Sequence, residues 1–586
     1  MNLRKRYYGF GKRFASLLIT GVVVTGQLMG SAPVVSTAAD SSSSTSRISG
    51  EIKLDPQNRY QTMEGWGSTI AWWGNTVGTW GDNDFNENGT PDREELAYLA
   101  FSPEELNLNI VRYNVGGGDD PDKTTIKRVE GAVPGWSTDM FGSYDGGDRT
   151  AGTNASVSSD FYDKDAEDME DAGQLWLLGQ ANKYRKEAAD AAGTENDIIN
   201  KVFANSPPYY MTNSGRSTGN VSGSNDNLKD TERNAFTEYL ATASNWINGW
   251  LSETYGTGVD VVEPMNEPNT SYWSAGSQKQ EGNHVTPGTN QSLLMSSMQN
   301  ALDTIGLDNV KLTGTDEFSL AQGMTNFNSL SDEVKLAEDI ISVHTYGNTD
   351  SDRISLRDLS AQYDQGLWMS EVCMGGGPHN PDSFSNTNSK DLSKGIMNDL
   401  NKLEPTAWIA WLVVDSEYEC LQCNENWGLI HAVFEEDGPV SDFHTKLVDE
   451  QGQKLDDVPD YGEWHISKQF YTMKQYSKYI KSGYTIIDIA DDNMVAAISP
   501  DQDEVVIVAQ NFDSSRSTSI DLNDFENAGT AELYRTSESE NCKLVKTADV
   551  SKGVLDVNLP ANSVSTYVIT AKDGGFFVSQ PDITGP

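Results

Sequence analysis

The chain has 586 residues, a formal net charge of −45 at pH 7 and a pI near 4.3. Nucleic acid and anionic membranes repel so acidic a chain, so we expect neither as a partner. A neutral polysaccharide or oligosaccharide is compatible with the charge, and the 14 Trp and 23 Tyr residues can provide aromatic surfaces for one. The length suits one large domain plus a smaller one, and we expect a monomer.

The N-terminal region has the pattern of a secretory signal. Basic residues precede an apolar stretch from Phe14 to Met29, and Thr37-Ala38-Ala39 fits a cleavage site. The apolar stretch is short and interrupted by Gly and Thr, which argues against a membrane span. We therefore predict a signal peptide over 1–39, a Ser-rich linker over 40–47 and a secreted, extracellular protein. Cell-wall association stays open, because the predicted tail over 574–586 carries no sorting motif.

From residue 64 to residue 480, short apolar runs alternate with amphipathic patterns. The eight predicted strands are 63–73 with its exit loop, 109–115, 198–204, 261–267, 310–315, 340–346, 367–371 and 407–414. The predicted helices are 94–101, 172–192, 231–255, 292–305, 331–337, 354–363, 392–403 and 467–480. Eight strands separated by helices or loops predict an α/β fold, a (β/α)8 TIM barrel over 64–480. The polar stretch 119–165 is predicted to be a surface loop.

The C-terminal part has a different pattern. Between Tyr484 and Thr570, short β-branched runs recur at close spacing with polar turns between them, which is typical of an all-β sandwich. The early strand from Ile48 to Tyr60 is a candidate to join them. We therefore predict an appended β-sandwich side domain built from 48–63 and 481–573.

Two predicted barrel strands end in a glutamate. Val261-Val262 leads to Glu267, which Pro268 follows at once, and the run before Glu371 is also apolar. Each glutamate alone could be an ordinary acidic loop residue. On a barrel, however, the C-terminal strand ends converge on one mouth. Two carboxylates there are the minimum equipment for cleaving a glycosidic bond.

Residues 84–95 fit the calcium-loop pattern D-x-[DN]-x-[DN]-G-x5-E at every position. Gly89 would permit the sharp turn. The alternative is a polar loop that leads into a capped helix, and because no helix precedes the loop, it is not a full EF-hand. We predict a structural calcium ion and no cofactor for catalysis. The predicted oxygen ligands are Asp84, Asn86, Asn88, Thr90, Asp92 and Glu95.

The four cysteines suggest no metal site by their spacing. Cys420 and Cys423 form a C-x-x-C pair, but a zinc site needs a second pair, or histidines at matching spacing, and the sequence shows neither. The sequence is compatible with two alternatives. One is a single disulfide among Cys373, Cys420 and Cys423, and the other is free buried thiols.

Short motifs at the predicted strand ends resemble glycoside hydrolase family 30, of clan A. They are Gly65-Trp66-Gly67, Arg112-Tyr113-Asn114, Ser206-Pro207-Pro208, Asn266-Glu267-Pro268, His344-Thr345-Tyr346 and Ser370-Glu371. The barrel with a β side domain is that family's layout, and the resemblance covers about residues 49–572. The residues 65–73 and Gln280-Glu281-Gly282 are similar to the endo-β-1,6-galactanase branch. The loop from Asp84 to Glu95 departs from the family as an insertion.

The resemblance implies roles for the residues at the barrel mouth. Glu371 would be an ionised nucleophile, with Arg112 and the Tyr346 hydroxyl stabilising its charge. Glu267 would be the general acid and then the base, with a pKa raised by apolar surroundings and by the Glu371 charge. Asn266 would hydrogen-bond the sugar 2-OH. His344 would support the site.

Sugar contacts are predicted from aromatic and acidic residues near the same strand ends. Trp411 would form the floor of the central subsite, and core packing is the alternative for every aromatic residue. Glu263, a residue of the same predicted strand as Glu267, is expected to be paired inside the barrel. The predicted substrate-binding residues are Trp66, Trp72, Trp73, Tyr209, Trp273, Glu281 and Trp411.

We therefore expect a secreted retaining β-glycoside hydrolase, an endo-β-1,6-galactanase that acts on arabinogalactan side chains. Another family 30 activity remains an alternative: β-1,6-glucanase, xylanase or an exo-acting β-glycosidase. A non-catalytic carbohydrate-binding surface protein is the alternative from a different class. The glutamate pair, Arg112 and Tyr346 argue against it, because binding alone needs none of them.

Overall fold

The computed structural model describes residues 50–118, 120, 126–141, 157–384, 387–572 and 574–577. The predicted signal peptide over 1–39 and the linker over 40–47 lie outside these residues, as does most of the predicted tail. Among the helices that the structure describes, none combines the length and the apolar character that a membrane span requires.

The core of the molecule is a closed barrel of eight parallel strands. A first strand, β1 (Ile52–Thr62), precedes the barrel and pairs elsewhere. Each barrel strand pairs with the next, and the last pairs with the first. Strands occur at all eight predicted places, which confirms the (β/α)8 barrel. The barrel strands are β2 (Gly65–Thr69), β3 (Ile110–Asn114), β4 (Ile199–Phe203), β5 (Val261–Glu263), β6 (Lys311–Glu317), β7 (Ile340–His344), β8 (Gly366–Val372) and β9 (Ala407–Leu412).

Helices connect the strands on the outside of the barrel. The α-helices are α1 (Trp73–Val77), α2 (Asp92–Phe101), α3 (Ser137–Phe141), α4 (Ala172–Ala192), α5 (Arg233–Tyr255), α6 (Thr289–Ile305), α7 (Leu320–Ser329), α8 (Asp332–Ala337), α9 (Asp350–Tyr363), α10 (Thr387–Asn398), α11 (Glu417–Cys423) and α12 (Lys468–Ser477). Single-turn 3-10 segments occur at Gly78–Trp80, Ser159–Asp163, Ala166–Asp168, Tyr209–Met211 and Asp230–Glu232, and a π-turn at Asp399–Leu403 extends α10. The sequence did not predict α7, whose residues are mostly polar and include a glycine.

The prediction that 119–165 is a surface loop is wrong in part. Trp136 and Phe161 are fully buried, and the Trp136 ring lies 5.6 Å from that of Trp246 on α5. Met140, on the short helix α3, is buried with them. A few apolar side chains within a polar stretch therefore anchor it to the core.

A β side domain follows the barrel. Its sheet has the order β18-β17-β20-β15-β14-β13-β1-β16-β19, so the N-terminal strand β1 lies between β13 and β16. A small sheet, β10-β11-β12, sits between the barrel and this domain in the chain. The strands are β10 (Val414–Ser416), β11 (Ile430–Ala432), β12 (Trp464–Ile466), β13 (Thr485–Ile489), β14 (Met494–Ile498), β15 (Glu504–Asn511), β16 (Arg516–Asp521), β17 (Ala528–Ser537), β18 (Glu540–Asp549), β19 (Val554–Leu559) and β20 (Ser563–Ala571).

An ion pair lies inside the barrel, below its mouth. The Nζ atom of Lys201 on β4 is 2.7 Å from Oε2 of Glu263 on β5, and both side chains are fully buried. Lys201 also donates to the Ser342 hydroxyl at 3.2 Å. Burial raises the pKa of Glu263 to about 7, and Lys201 opposes that rise. The charge of Glu263 therefore depends on the lysine.

We expect Lys201→Met to destabilise the fold by about 3–5 kcal/mol, because it leaves a buried carboxylate without its partner. Adding Glu263→Gln should recover part of that loss. As a control, Lys186→Ala breaks the exposed pair between Lys186 and Asp190 and should cost less than about 1 kcal/mol. Urea unfolding of the four proteins measures these differences. Equal losses for the two lysine variants would contradict the assigned role of the ion pair.

Candidate active site

Glu267 and Glu371 face each other at the mouth of the barrel. Glu267 follows β5 and Glu371 lies near the end of β8, and each side chain is 7% exposed. A side-chain oxygen of one lies within 4.8 Å of an oxygen of the other. Retaining glycosidases hold their two carboxyl groups about 5–5.5 Å apart, and inverting enzymes about 6.5–9.5 Å. The separation therefore matches the retaining geometry.

Two donors hold the carboxylate of Glu371. Nη1 of Arg112 donates to Oε2 at 2.7 Å, and the hydroxyl of Tyr346 donates to Oε1 at 3.3 Å. Arg112 is fully buried, and its guanidinium lies 3.6 Å from the ring centre of Phe203. The contact with this buried, always charged guanidinium is a charge-assisted hydrogen bond that fixes the position of the Glu371 carboxylate.

Glu267 has a different environment. Nδ1 of His344 lies 2.9 Å from Oε1, and the hydroxyl of Tyr272 donates to Oε2. Burial raises the pKa of Glu267, and the charge of Glu371 adds to the rise, while His344 opposes it. Glu267 is thus the carboxyl of the pair that holds a proton more readily.

Asp316 lies beneath both glutamates, and the sequence analysis missed it. It accepts from Nη2 of Arg112 at 2.8 Å and from the Ser370 hydroxyl at 2.6 Å, and Nε2 of His344 is 3.2 Å away. Burial opposes ionisation, but His344 and Arg112 hold the pKa of Asp316 well below its usual range. The sequence did contain a feature that could have identified Asp316, since β6, like the runs before Glu267 and Glu371, ends in carboxylates, Asp316 and Glu317.

His344 faces a carboxylate with each ring nitrogen, Glu267 at Nδ1 and Asp316 at Nε2. Burial lowers its pKa, but the charges of Glu371 and Asp316 outweigh burial and raise the pKa well above the ordinary value. These charges therefore favour the imidazolium form of the buried ring, which donates from both nitrogens.

Asn266 is oriented by the same arginine. Its Oδ1 accepts from Nη2 of Arg112 at 2.5 Å. Because the oxygen is taken, the amide nitrogen is the group that can donate to a ligand.

The prediction that Trp66, Trp72 and Trp73 contact substrate is wrong, since each is at most 1% exposed. The Trp66 indole donates to the Ile480 carbonyl at 2.7 Å, and the Trp73 indole donates to the Thr69 carbonyl at 3.0 Å. The Trp72 ring meets that of Trp411 edge-on at 4.9 Å. All three belong to the hydrophobic core, Trp66 from β2 and Trp72 and Trp73 from the start of α1.

Trp273 and Glu281 are at least as buried as the two glutamates. The Trp273 indole donates to the Glu267 carbonyl at 3.0 Å, and the ring is 4% exposed. Glu281 is 2% exposed and accepts from the Gly117 amide at 2.9 Å. Direct sugar contact by these two residues stays a prediction. Sugar contacts by Trp411, which is mostly buried, and Tyr209, which is half-buried, stay predictions.

Three other aromatic rings lie beside the carboxylates, and two of them are well exposed. Tyr272 is 50% exposed and Phe318 is 37% exposed. Phe318 stacks on Tyr346 at 5.1 Å with ring planes 15° apart, and Tyr272 meets Phe318 edge-on. Tyr272 and Tyr346 each donate to one of the two glutamates. These rings, rather than the predicted tryptophans, offer apolar faces next to the reacting groups.

The cysteines are free thiols at all four positions, so the structure contains none of the disulfides that the sequence allowed. Cys373 lies 3.6 Å from the Tyr346 hydroxyl. Burial raises the pKa of the Cys373 thiol, so this cysteine stays protonated beside the site.

Comparison with known proteins supports the resemblance. Residues 135–421 match the model of O-glycosyl hydrolase family 30. An exo-beta-1,6-galactobiohydrolase of Bifidobacterium longum is 26% identical in an alignment of length 574 that covers 83% of this chain. An endo-beta-1,6-galactanase of Hypocrea rufa is 24% identical in an alignment of length 548 that covers 90% of this chain and 96% of the relative.

A solved structure shares the fold. The catalytic domain of a GH30 xylanase C from Talaromyces cellulolyticus superimposes with a TM-score of 0.56 at 16% identity, covering 89% of this chain and all of that domain. The match to the Bifidobacterium relative spans only 36% of that longer protein.

The predicted calcium loop is a closed ring of polar contacts. Asp84 accepts from the backbone amides of Asn88 and Gly89 at 3.0 and 2.7 Å, and Gly89 has a φ of 96°, as the turn requires. The amide nitrogens of Asn86 and Asn88 each donate to Glu95 at 2.7 Å. Rotating each side-chain amide by half a turn would place its oxygen, rather than its nitrogen, beside Glu95.

The other predicted ligands of the loop behave differently. The Asp92 carboxylate accepts from the Phe85 amide at 2.5 Å and from the Trp464 indole. Thr90 is exposed, and its backbone amide donates to Asn88. Calcium binding by this loop stays a prediction.

We expect millimolar Ca²⁺ to raise the melting temperature of the metal-stripped chain, because a ligand that binds only the native state stabilises it. Glu95→Gln should abolish most of the rise, since the loop loses its charged bidentate ligand. Differential scanning calorimetry with Ca²⁺ and with Mg²⁺ measures the effect. An unchanged melting temperature in the wild-type chain would show that residues 84–95 are only a loop.

Proposed function

Because the chain belongs to glycoside hydrolase family 30, we propose that it is an endo-β-1,6-galactanase that cleaves arabinogalactan side chains with retention of configuration. The observation that carries the proposal is the glutamate pair, with oxygens within 4.8 Å and unlike partners. The Hypocrea and Bifidobacterium relatives are both named for action on β-1,6-linked galactose, which supports the substrate class.

The first step uses both carboxyls. Glu371, whose carboxylate Arg112 holds in place, attacks the anomeric carbon, and the bond from that carbon to the leaving oxygen breaks. Glu267 donates its proton to the leaving oxygen, so the leaving sugar departs as an alcohol. The product is a glycosyl ester on Glu371 with inverted configuration at the anomeric carbon.

The second step reverses the role of Glu267. Now ionised, it accepts a proton from water, whose oxygen attacks the anomeric carbon and releases Glu371. The second inversion restores the original configuration. Because Glu371 is no longer charged in the intermediate, the repulsion that raised the pKa of Glu267 is reduced, which suits its function as a base.

The groups around Glu267 and Glu371 would orient the substrate. The free amide nitrogen of Asn266 would donate to the sugar 2-OH. The exposed faces of Tyr272 and Phe318 would pack against sugar rings, because the C–H faces of a pyranose are apolar. Both aromatic residues lie on loops after β5 and β6.

The name of the Bifidobacterium relative favours a second candidate, exo-action on the same linkage. An endo-enzyme needs a cleft open at both ends, whereas an exo-enzyme needs one closed end. The size of the early products distinguishes endo-action from exo-action. Early release of mixed oligosaccharides indicates endo-action, and a single short product from the start indicates exo-action.

Nucleophile rescue tests the roles of the two glutamates. On an activated β-galactoside, we expect Glu371→Ala to be inactive and to regain turnover with azide, giving an α-glycosyl azide. Glu267→Ala should keep its first step, because a good leaving group needs no proton, and azide should give a β-glycosyl azide. The same azide configuration from both variants would refute double displacement with these roles.

Digestion of a panel of β-1,6-galactan, β-1,6-glucan, arabinogalactan and xylan tests the substrate. Release of galactose-containing products from β-1,6-galactan by the wild type, and none by Glu371→Ala, is the expected result. Turnover of glucan or xylan instead would replace the substrate assignment and leave the mechanism intact. Binding without turnover in the wild type would favour a carbohydrate-binding protein.

His344→Gln should move the basic limb of the kcat/KM profile to higher pH. The imidazolium lowers the pKa of Glu267, so its removal raises that pKa, because an opposite charge at contact distance is lost. Because a general acid must be protonated, activity would persist to higher pH even though kcat falls. A basic limb that stays in place would show that His344 does not set the proton affinity of Glu267.

A further inference from the structure

Three of the six histidines in the chain converge on one carboxylate outside the glutamate pair. Nε2 of His379 lies 3.0 Å from Oε1 of Glu417, and Nδ1 of His431 lies 3.1 Å from Oε2. Nε2 of His465 lies 4.0 Å from Oε2. One ligand atom each from Glu417, His431 and His465 fits within a span of 4.8 Å.

These separations suit ligands of a single small metal ion. Zinc binds imidazole nitrogen and carboxylate oxygen at about 2.0–2.2 Å, so two such ligands in tetrahedral geometry lie about 3.3–3.6 Å apart. The distances of His379 and His431 to Glu417, 3.0 and 3.1 Å, are close to this range. His465, at 4.0 Å, needs to move closer by about half an ångström to reach it. Three imidazoles and one carboxylate are also a donor set that zinc accepts in tetrahedral geometry.

Unpartnered ring nitrogens provide an independent observation. His431 is fully buried, and its Nε2 has no hydrogen-bond partner among the residues that the structure describes. Nε2 of His465, likewise shielded from solvent, also lacks such a partner in the described part of the chain. A buried nitrogen without a partner costs free energy. The Nε2 atom of His465 is also the nitrogen that faces Glu417, so its lack of a partner indicates a missing ligand. In His431 the nitrogen that faces Glu417 is Nδ1, which is therefore its candidate ligand atom.

The surroundings of His379 fit a metal-bound ring. Its Nδ1 lies 3.2 Å from the Glu425 carbonyl, and its Nε2 faces the Glu417 carboxylate. Both oxygens can only accept, yet a neutral imidazole can donate to just one of them. With Nδ1 donating to the carbonyl, Nε2 presents its lone pair to a cation, which is the usual arrangement behind a histidine that binds zinc.

We propose that His379, Glu417, His431 and His465 form a structural zinc site. The four residues come from the loop after β8, the first turn of α11, β11 and β12. Zinc would therefore tie the small sheet β10-β11-β12 to the loop that follows Glu371. The His465 side chain is 38% exposed and provides a route for the ion. The site is separate from the glutamate pair and does not depend on the proposed function.

Cobalt titration of the untagged full chain tests the proposal. After chelator treatment, we expect one equivalent of Co²⁺ to bind and to give the strong visible absorption of a tetrahedral site, and Zn²⁺ to displace it. His379→Gln and His465→Gln should weaken binding at least about tenfold. These positions are more exposed than His431, so both variants should fold, which circular dichroism checks.

Two matched variants serve as controls. His284 also pairs with a carboxylate, Asp226 at 2.9 Å, but lies outside the cluster, so His284→Gln should bind cobalt as the wild type does. Asp84→Asn should also keep the absorption, because an oxygen-rich calcium loop does not produce a tetrahedral spectrum. The proposal is overturned if the wild type shows no saturable binding, or if His379→Gln and His465→Gln bind as tightly as His284→Gln.

Discussion

The structure of the site depends on the burial of charges around Arg112. A guanidinium that is fully buried must be surrounded by carboxylates, and here it contacts Glu371 and Asp316 directly. Two further cations, Lys201 and His344, are buried with it. Against these three positive charges stand four carboxyl groups, Glu263, Glu267, Asp316 and Glu371. A neutral cluster therefore requires one proton on one of the four.

The surroundings decide which carboxyl holds that proton. Burial raises the pKa of both Glu263 and Glu267, but Glu263 has Lys201 at 2.7 Å as a partner of its own. Glu267 shares the His344 charge with Asp316 and Glu371. Glu263 and Glu267 are therefore the two carboxyls that can hold the proton, and Glu267 is the one at the barrel mouth that can pass it to a ligand. The difference between acid and nucleophile thus follows from the charge balance of the whole cluster rather than from either glutamate alone.

Local sequence patterns were enough to predict most of the fold and the two central residues, Glu267 and Glu371. A run such as Val261-Val262 is apolar because the strand is buried on both faces, so the eight strands were visible without any partner. Asp316 and Tyr272 were missed for a different reason. Asp316 has a φ of 37°, and Tyr272 reaches Glu267 from a loop. Backbone turns of this kind direct side chains in ways that periodicity does not encode.

Aromatic residues and histidines show even more clearly that the sequence pattern does not predict where a side chain lies. Trp72 and Phe318 both lie just past the C-terminal ends of barrel strands, yet one is buried and the other is exposed, because packing decides which ring faces solvent. The histidine cluster brings together four elements that are spread along the sequence from His379 to His465, so no short sequence motif reveals it. A rule based on spacing finds metal sites whose ligands share an element or a turn. Sites assembled by tertiary contacts become visible only through distances and through buried nitrogens that lack partners.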